Sequence, residues 1–328
     1  MQLPHLTPLL LLGTLLAGTA PVSSAAPAAP AAPAATNAPV FLPAEPLPKA
    51  TTAPVIDGKL DDVCWQNAKT YNVDYVHSAK PPRRAETVPM TVKYSWDDHY
   101  LYIAYETFDR NLVALGKDEK QGPPTNRRQG LEIYKEGVKV DVAEFFLSMG
   151  DMRFFWELHH NANNQFNDVW CVATDPAWPV NRSTMTFYGV MFLHEEFIRD
   201  EGPYTLATAV QLKPKADGKP STINDESDTD TGYTAEIRVP WLGLGVPRDR
   251  MTTLTRPNPE NPKQPFRDPG PWKMDGFEFW ALAVSQDGDL KDRYHRASPY
   301  IKGGFFHEDA PSWPRFRCVA PAATPAAK

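Results

Sequence analysis

Cysteine is scarce in this 328-residue chain, with three residues at positions 64, 171 and 318. An oxidising compartment permits one disulfide and leaves one thiol over. Cys64 and Cys318 lie near opposite ends of the folded body, where first and last strands often meet. Three buried free thiols are the other reading. Basic clusters are also missing. Lys and Arg number 34 against 40 Asp and Glu, the formal net charge is -6, and there is no Lys/Arg cluster. That argues against nucleic acid as a partner, because phosphate binding needs a basic face. Beyond the first residues no apolar stretch is long enough to span a bilayer, so no membrane anchor is expected. There is no GxSxG, no Cys/His pairing signal and no nucleotide loop, so the sequence offers no nucleophile and leans away from an enzyme.

What the chain has in abundance is proline, 34 residues, about twice the usual share. Hydrophobic residues make up 42% and aromatics 11%. Prolines among aromatics suit short strands joined by irregular loops and do not suit long helices.

Four segments follow from composition. Residues 1–25 read as an export signal: "LTPLLLLGTLLAGTA" is apolar but too short for a stable anchor, and "VSSA" supplies small residues for cleavage. Residues 26–50 are Ala/Pro-rich and read as a disordered, PPII-like tether. Residues 51–320 form the folded body, and 321–328 a similar disordered tail. The expected location is secreted or periplasmic.

Within the body, "MTVKYSWDDHYLYIAYETFD" is a hairpin turning at Asp97-Asp98-His99. Leu101, Ile103 and Tyr105 face one way; Tyr100, Tyr102, Ala104 and Glu106 face the other. Both faces are partly apolar, so this strand belongs inside a sheet covered by a second sheet. Val138 to Asn164 reads as another strand pair, and Tyr204–Leu212, Gly232–Trp241, Gly276–Asp287 and Trp313–Ala320 as further strands. Arg256 to Pro271, rich in proline, reads as an insertion loop. "DDVCWQNAK" holds one short helical turn capped by Asp61, with Val63, Cys64 and Ala68 facing inward. The fold class is all-β, an antiparallel β-sandwich with long irregular loops.

These pieces, in their order, resemble the family 9 carbohydrate-binding modules and their DOMON-like relatives. The resemblance rests on "IDGKLDDVCW", "VKYSWDDHYLYIAYETFD", "DVAEFFLS", "FFWELHHNANNQFND" and "TGYTAEIRVPWLGLG". It implies a jelly-roll or immunoglobulin-like sandwich, carbohydrate as the partner and structural calcium. It also implies an association with polysaccharide-degrading enzymes. Trp65 is expected to plug the end of the sandwich as a structural residue. Glu144 matches the family's sugar-binding Glu and Asp141 the Asp before it. The family's Arg position falls on Glu157, and one clamp Trp position falls near Val138, so the sugar clamp is not reproduced.

Candidate ligand-binding residues are therefore Asp141, Glu144, Glu157, His159, Trp170, Trp178, Phe306 and Trp313. Apolar sugar faces stack on rings, and hydroxyls need fixed polar partners. A solvated or packed role is the competing reading for each. No catalytic residue is assigned. For metals, "DGDLKD" and "NDESDTD" carry closely spaced oxygen ligands without the EF-hand pattern, and His159-His160 and His194-Glu195 lack a zinc-site spacing. No cofactor is assigned, and structural calcium stands only as what the resemblance implies. Two alternatives stay open: a glycoside hydrolase using Glu144 and Glu157, and a DOMON-type haem carrier using Met149, Met152, His159 and His160.

Overall fold

The computed structural model describes residues 41–66, 68–76, 83–114, 140–150, 154–173, 187–190, 206–288, 294–298 and 312–321. The chain divides into two units, Met1–Asn37 and Ala38–Lys328, and every described residue belongs to the second. In chain order the elements begin β1 (Glu45–Pro48), α1 (Val63–Gln66), β2 (Thr70–Val73), β3 (Tyr75–Val76), β4 (Arg83–Arg84), β5 (Met90–Trp96) and β6 (Tyr100–Thr107). Next come β7 (Val142–Ser148), β8 (Phe154–His160), β9 (Phe166–Ala173), β10 (Phe187–Val190), β11 (Ala207–Leu212) and β12 (Tyr233–Pro240). The last are β13 (Met251–Arg256), β14 (Phe266–Trp272), β15 (Glu278–Gly288), β16 (Tyr294–Ser298) and β17 (Arg315–Val319). Among the described residues no helix is long and apolar enough to cross a membrane.

Two sheets face each other. The larger runs β10-β9-β8-β7-β15-β16-β3-β4, with β17 paired to β15 and β1 to β17. The smaller runs β11-β12-β6-β5-β2. Period-2 alternation decides what enters the space between them. Ala143, Phe145 and Leu147 of β7, Trp156 and Leu158 of β8, and Phe279, Ala281 and Ala283 of β15 come from the larger sheet. Met90, Val92, Tyr94 and Trp96 of β5, Leu101, Ile103 and Tyr105 of β6, and Tyr233, Ala235, Ile237 and Val239 of β12 come from the smaller. The fold is the expected all-β antiparallel sandwich, and β6 lies inside its sheet as its two apolar faces imply.

The other face of β6 has its own cover. Tyr102 and Ala104 pack with Cys64 and Trp65, so α1 and its flanks roof the outer side of the smaller sheet. Trp65 is fully buried there, on a sheet face rather than at the end of the sandwich. Val63 is 56% exposed, which reverses its expected orientation. Asp62 rather than Asp61 opens the turn: its carbonyl accepts from Trp65 N at 3.0 Å. Cys64 and Cys318 are buried free thiols. Cys64 belongs to α1, in the cluster on the outer face of the smaller sheet, and Cys318 to β17, in the core between the sheets.

Two segments are more ordered than composition suggests. Glu45–Pro48, inside the residues read as tether, form β1, parallel to β17. Leu47 is buried in the core, and Trp96 Nε1 donates to its carbonyl at 2.7 Å. Pro46 and Pro48 donate nothing, which an edge strand tolerates. Beyond β1, Lys49 N donates to Val319 O at 3.0 Å and Ala50 N to Trp96 O at 2.8 Å, so this segment bonds to both sheets. The proline-rich stretch read as an insertion loop contains β14, paired with β13 as a hairpin. Its prolines fit because that hairpin is a separate two-stranded sheet with no interior ladder to break.

Candidate functional site

Strand register builds a polar cluster on the outer face of the larger sheet. With Phe145 and Leu147 turned into the core, Glu144 projects the other way from β7. On β8, Trp156 and Leu158 turn inward and leave Glu157 and His159 on the outer face. Glu144 stands directly opposite His159 across the β7–β8 ladder, and Glu157 opposes Phe146. His159 Nε2 lies 3.0 Å from Glu157 Oε1 and 3.8 Å from Glu144 Oε1. One ligand atom from each of the three falls within 4.8 Å of the others. Glu144 and His159 are buried and Glu157 is partly exposed.

The same face is aromatic along the strands from this cluster. Phe146 and Phe155 pack against Trp313 at ring-centre distances of 5.7 and 5.4 Å. Trp313 is fully buried, part of a packed aromatic layer rather than a ring presented to solvent. Trp280 joins this face from β15, with the Arg315 guanidinium 5.0 Å from its ring centre. Trp170 takes the register position opposite Trp156. Trp178 and Phe306 lie outside the described residues.

Asp141 does not join Glu144, although three positions separate them. It precedes β7 on the core side, where Oδ2 accepts from Val113 N at 2.5 Å and Oδ1 from Gly288 N at 2.7 Å. Its neighbours are Asp109, just after β6, and Asp287 on β15. One carboxylate oxygen from each of these three lies within 4.8 Å of the others. Burial, then the charge of Asp287, pushes the Asp109 carboxyl up to about 7. Burial raises Asp141 well above the carboxylate range, with Asp109 adding to it. Sequence reasoning missed Asp109; its only signal was an acid closing the "YETFD" strand.

The calcium implied by the family resemblance finds chemically fitting donors here. Three carboxylates with no nitrogen among them match a hard cation, and Asp109, Asp141 and Asp287 are the residues that would hold it. The acidic loop from Asn224 to Asp230 has other work. Asp230 accepts from Leu112 N at 2.9 Å and Thr222 N at 2.7 Å. Asn224 exchanges hydrogen bonds with the backbone of Ala114, and Asp228 pairs with Lys215. These oxygens tie the chain after β6 to the loop.

The two histidines of β8 point to opposite sides. His160 is fully buried beneath the core face, with Nδ1 2.6 Å from the Tyr105 hydroxyl and Nε2 2.9 Å from Asn164 Oδ1. Burial holds it down at about 4, so the ring is neutral. Both nitrogens are engaged, which leaves no axial donor at His160 for a haem. Met149 packs in the core, and Met152 lies outside the described residues.

An antiparallel sandwich with a polar cluster set into one sheet face has the architecture of a β-sandwich binding domain. The chain belongs to the carbohydrate family 9 binding domain-like family, whose model matches residues 56–226. Among solved structures it is similar to a family 9 carbohydrate-binding module from Caldicellulosiruptor kristjanssonii in complex with cellotriose. The two are 15% identical over 87% of this chain and 98% of that one, with a TM-score of 0.43. The same kind of module in complex with glucose is also 15% identical, covering 86% and 100%, with a TM-score of 0.43. No curated protein matches the chain.

Proposed function

We propose that this protein is an exported carbohydrate-binding protein that holds a plant-type or bacterial polysaccharide or oligosaccharide non-covalently. The observation that carries the reading is the Glu144–His159–Glu157 cluster on the outer face of a family 9-type sandwich. Sugar hydroxyls need rigid acceptors, and carboxylates fixed by strand register cost little ordering entropy on binding. Export rests on the N-terminal signal-like residues. A role beside polysaccharide-degrading enzymes follows from the family.

Affinity gels with soluble cellulose, xylan, mannan and chitin derivatives test the reading. Retention on one of them, weakened about tenfold or more in Glu157→Gln, is the expected outcome, since a hydrogen bond to a charged group contributes about 1.5–3 kcal/mol. A wild-type protein that no glycan retards ends the proposal. A hydrolytic reading draws on one observation: the nearest Glu144 and Glu157 oxygens lie within 4.8 Å, close to the roughly 5–5.5 Å separation of a retaining pair. Release of reducing ends from the same polymers, abolished in Glu157→Gln, is its test.

A further inference from the structure

We infer that Glu144, Glu157 and His159 form a binding site for one divalent first-row transition-metal ion. The inference deepens the carbohydrate reading of this face and rests on it for the role of the ion. Three observations converge. The donors are one imidazole nitrogen and two carboxylates. A nitrogen-containing set of this kind suits zinc, manganese or iron and does not suit calcium, which takes oxygen alone. Their spacing is within reach of a metal shell. Bonds of about 2.0–2.2 Å to a tetrahedral ion place donors roughly 3.3–3.6 Å apart; His159 Nε2 lies 3.0 Å from Glu157, a hydrogen-bond contact, and 3.8 Å from Glu144, and all three donors fall within 4.8 Å of one another.

The third observation is rigidity. Glu144 and His159 are register partners on adjacent strands, and Glu157 stands two residues from His159 on the same side of β8. None of the three sits on a loop, so the site is organised before the ion arrives. The sequence hides it because its histidine and carboxylates do not follow a helical HExxH pattern; a strand pair presents them across a ladder instead. An ion of this class takes four ligands, and a sugar hydroxyl is a chemically fitting fourth. A metal there would convert a pair of acceptors into an electrophilic anchor for vicinal hydroxyls.

The test is calorimetric titration of Zn²⁺ into the full-length protein stripped with EDTA. The expected result is saturable uptake of one equivalent at this site. His159→Asn and Glu157→Gln should each weaken it tenfold or more while far-UV dichroism stays unchanged. Asp109→Asn should leave it intact, which separates this site from the all-oxygen cluster. Substitution with Co²⁺ should give visible ligand-field absorption that His159→Asn alters. No saturable uptake, or uptake that both variants retain in full, overturns the site. Glycan retention measured on the same samples distinguishes the two proposals. Retention without zinc uptake overturns the metal site and leaves carbohydrate binding standing. Zinc uptake without retention on any polymer supports the metal site and ends the carbohydrate reading.

Discussion

The indole nitrogen of Trp65 donates to Oε1 of Glu236 at 2.7 Å, across 171 residues of chain. The other oxygen of Glu236 accepts from the backbone nitrogens of Asp57 and Gly58, both at 2.9 Å. One buried carboxylate on β12 therefore gathers three donors from the entry segment and locks the α1 roof onto the smaller sheet. Glu236→Gln keeps the shape but turns an amide group toward part of this donor set. Chemical denaturation should show a loss of about 2 kcal/mol, the usual scale for leaving a buried hydrogen-bonding group unsatisfied. Trp65→Phe should be destabilising too, and the two losses should be less than additive, because they remove the same contact. Fully additive losses would refute the coupling.

Acidity reads the same residue in another way. Burial pushes the Glu236 carboxyl up to about 7 from its ordinary 4.5, against the pull of the Trp65, Asp57 and Gly58 donors. The folded state then binds this proton more tightly than the unfolded one. Its contribution to stability is present below about 4.5 and is lost as pH rises to about 7. Glu236→Gln should remove that component of the pH profile.

His160 acts with the opposite sign. Its folded value of about 4 lies below the ordinary 6.5 because burial excludes the charge. The unfolded chain takes up the proton first, so stability falls as pH drops from 6.5 to about 4. The full loss is about 3 kcal/mol at about 1.4 kcal/mol per unit. Stability curves of wild type and His160→Gln should converge toward pH 4; parallel curves would contradict the assignment.

Gly58 is irreplaceable for two reasons at once. Its φ is +85°, and an added Cβ would stand 2.7 Å from the Val210 carbonyl carbon. Gly58→Ala should cost about 3 kcal/mol from left-handed strain and the backbone clash together, visible as a lowered Tm. A neutral result would mean the turn is looser than its contacts with Glu236 indicate.

Asp109 is buried among like charges, and burial first, then Asp287, holds its carboxyl protonated up to about 7. In EDTA, Asp109→Asn should raise Tm at pH 8 and change it little at pH 4, where the acid is already protonated. Added calcium should invert the comparison at pH 8 by stabilising the wild type more than the variant.

The β5–β6 hairpin is legible in the sequence because alternation over "LYIAYE" sorts two apolar faces and Asp97-Asp98-His99 marks the turn. The helical turn around Trp65 is legible in position but not in orientation: Val63 and Cys64 are both apolar, and distant partners such as Glu236 and Tyr102 hold the roll of the turn. β1 is obscured by its prolines, since edge pairing to a strand 270 or so residues later leaves no local pattern. The β13–β14 hairpin pairs locally and is hidden by the prolines of its loop and of β14 alone. At the site, the resemblance points to Glu144 and Glu157, but their meeting with His159 depends on the β7–β8 register. Asp141 looks equivalent to Glu144 in sequence and lands on the opposite side of the sheet, because an odd separation in a strand reverses the face.

The parallel pairing of β1 with β17 also has a mechanical meaning. Tension applied through the chain preceding Glu45 and the chain following Val319 pulls these two strands along their length in opposite directions. Their ladder is then loaded in shear, with its hydrogen bonds sharing the force instead of unzipping one at a time. A protein held by one end while its other end is dragged would resist extension most strongly at this first contact.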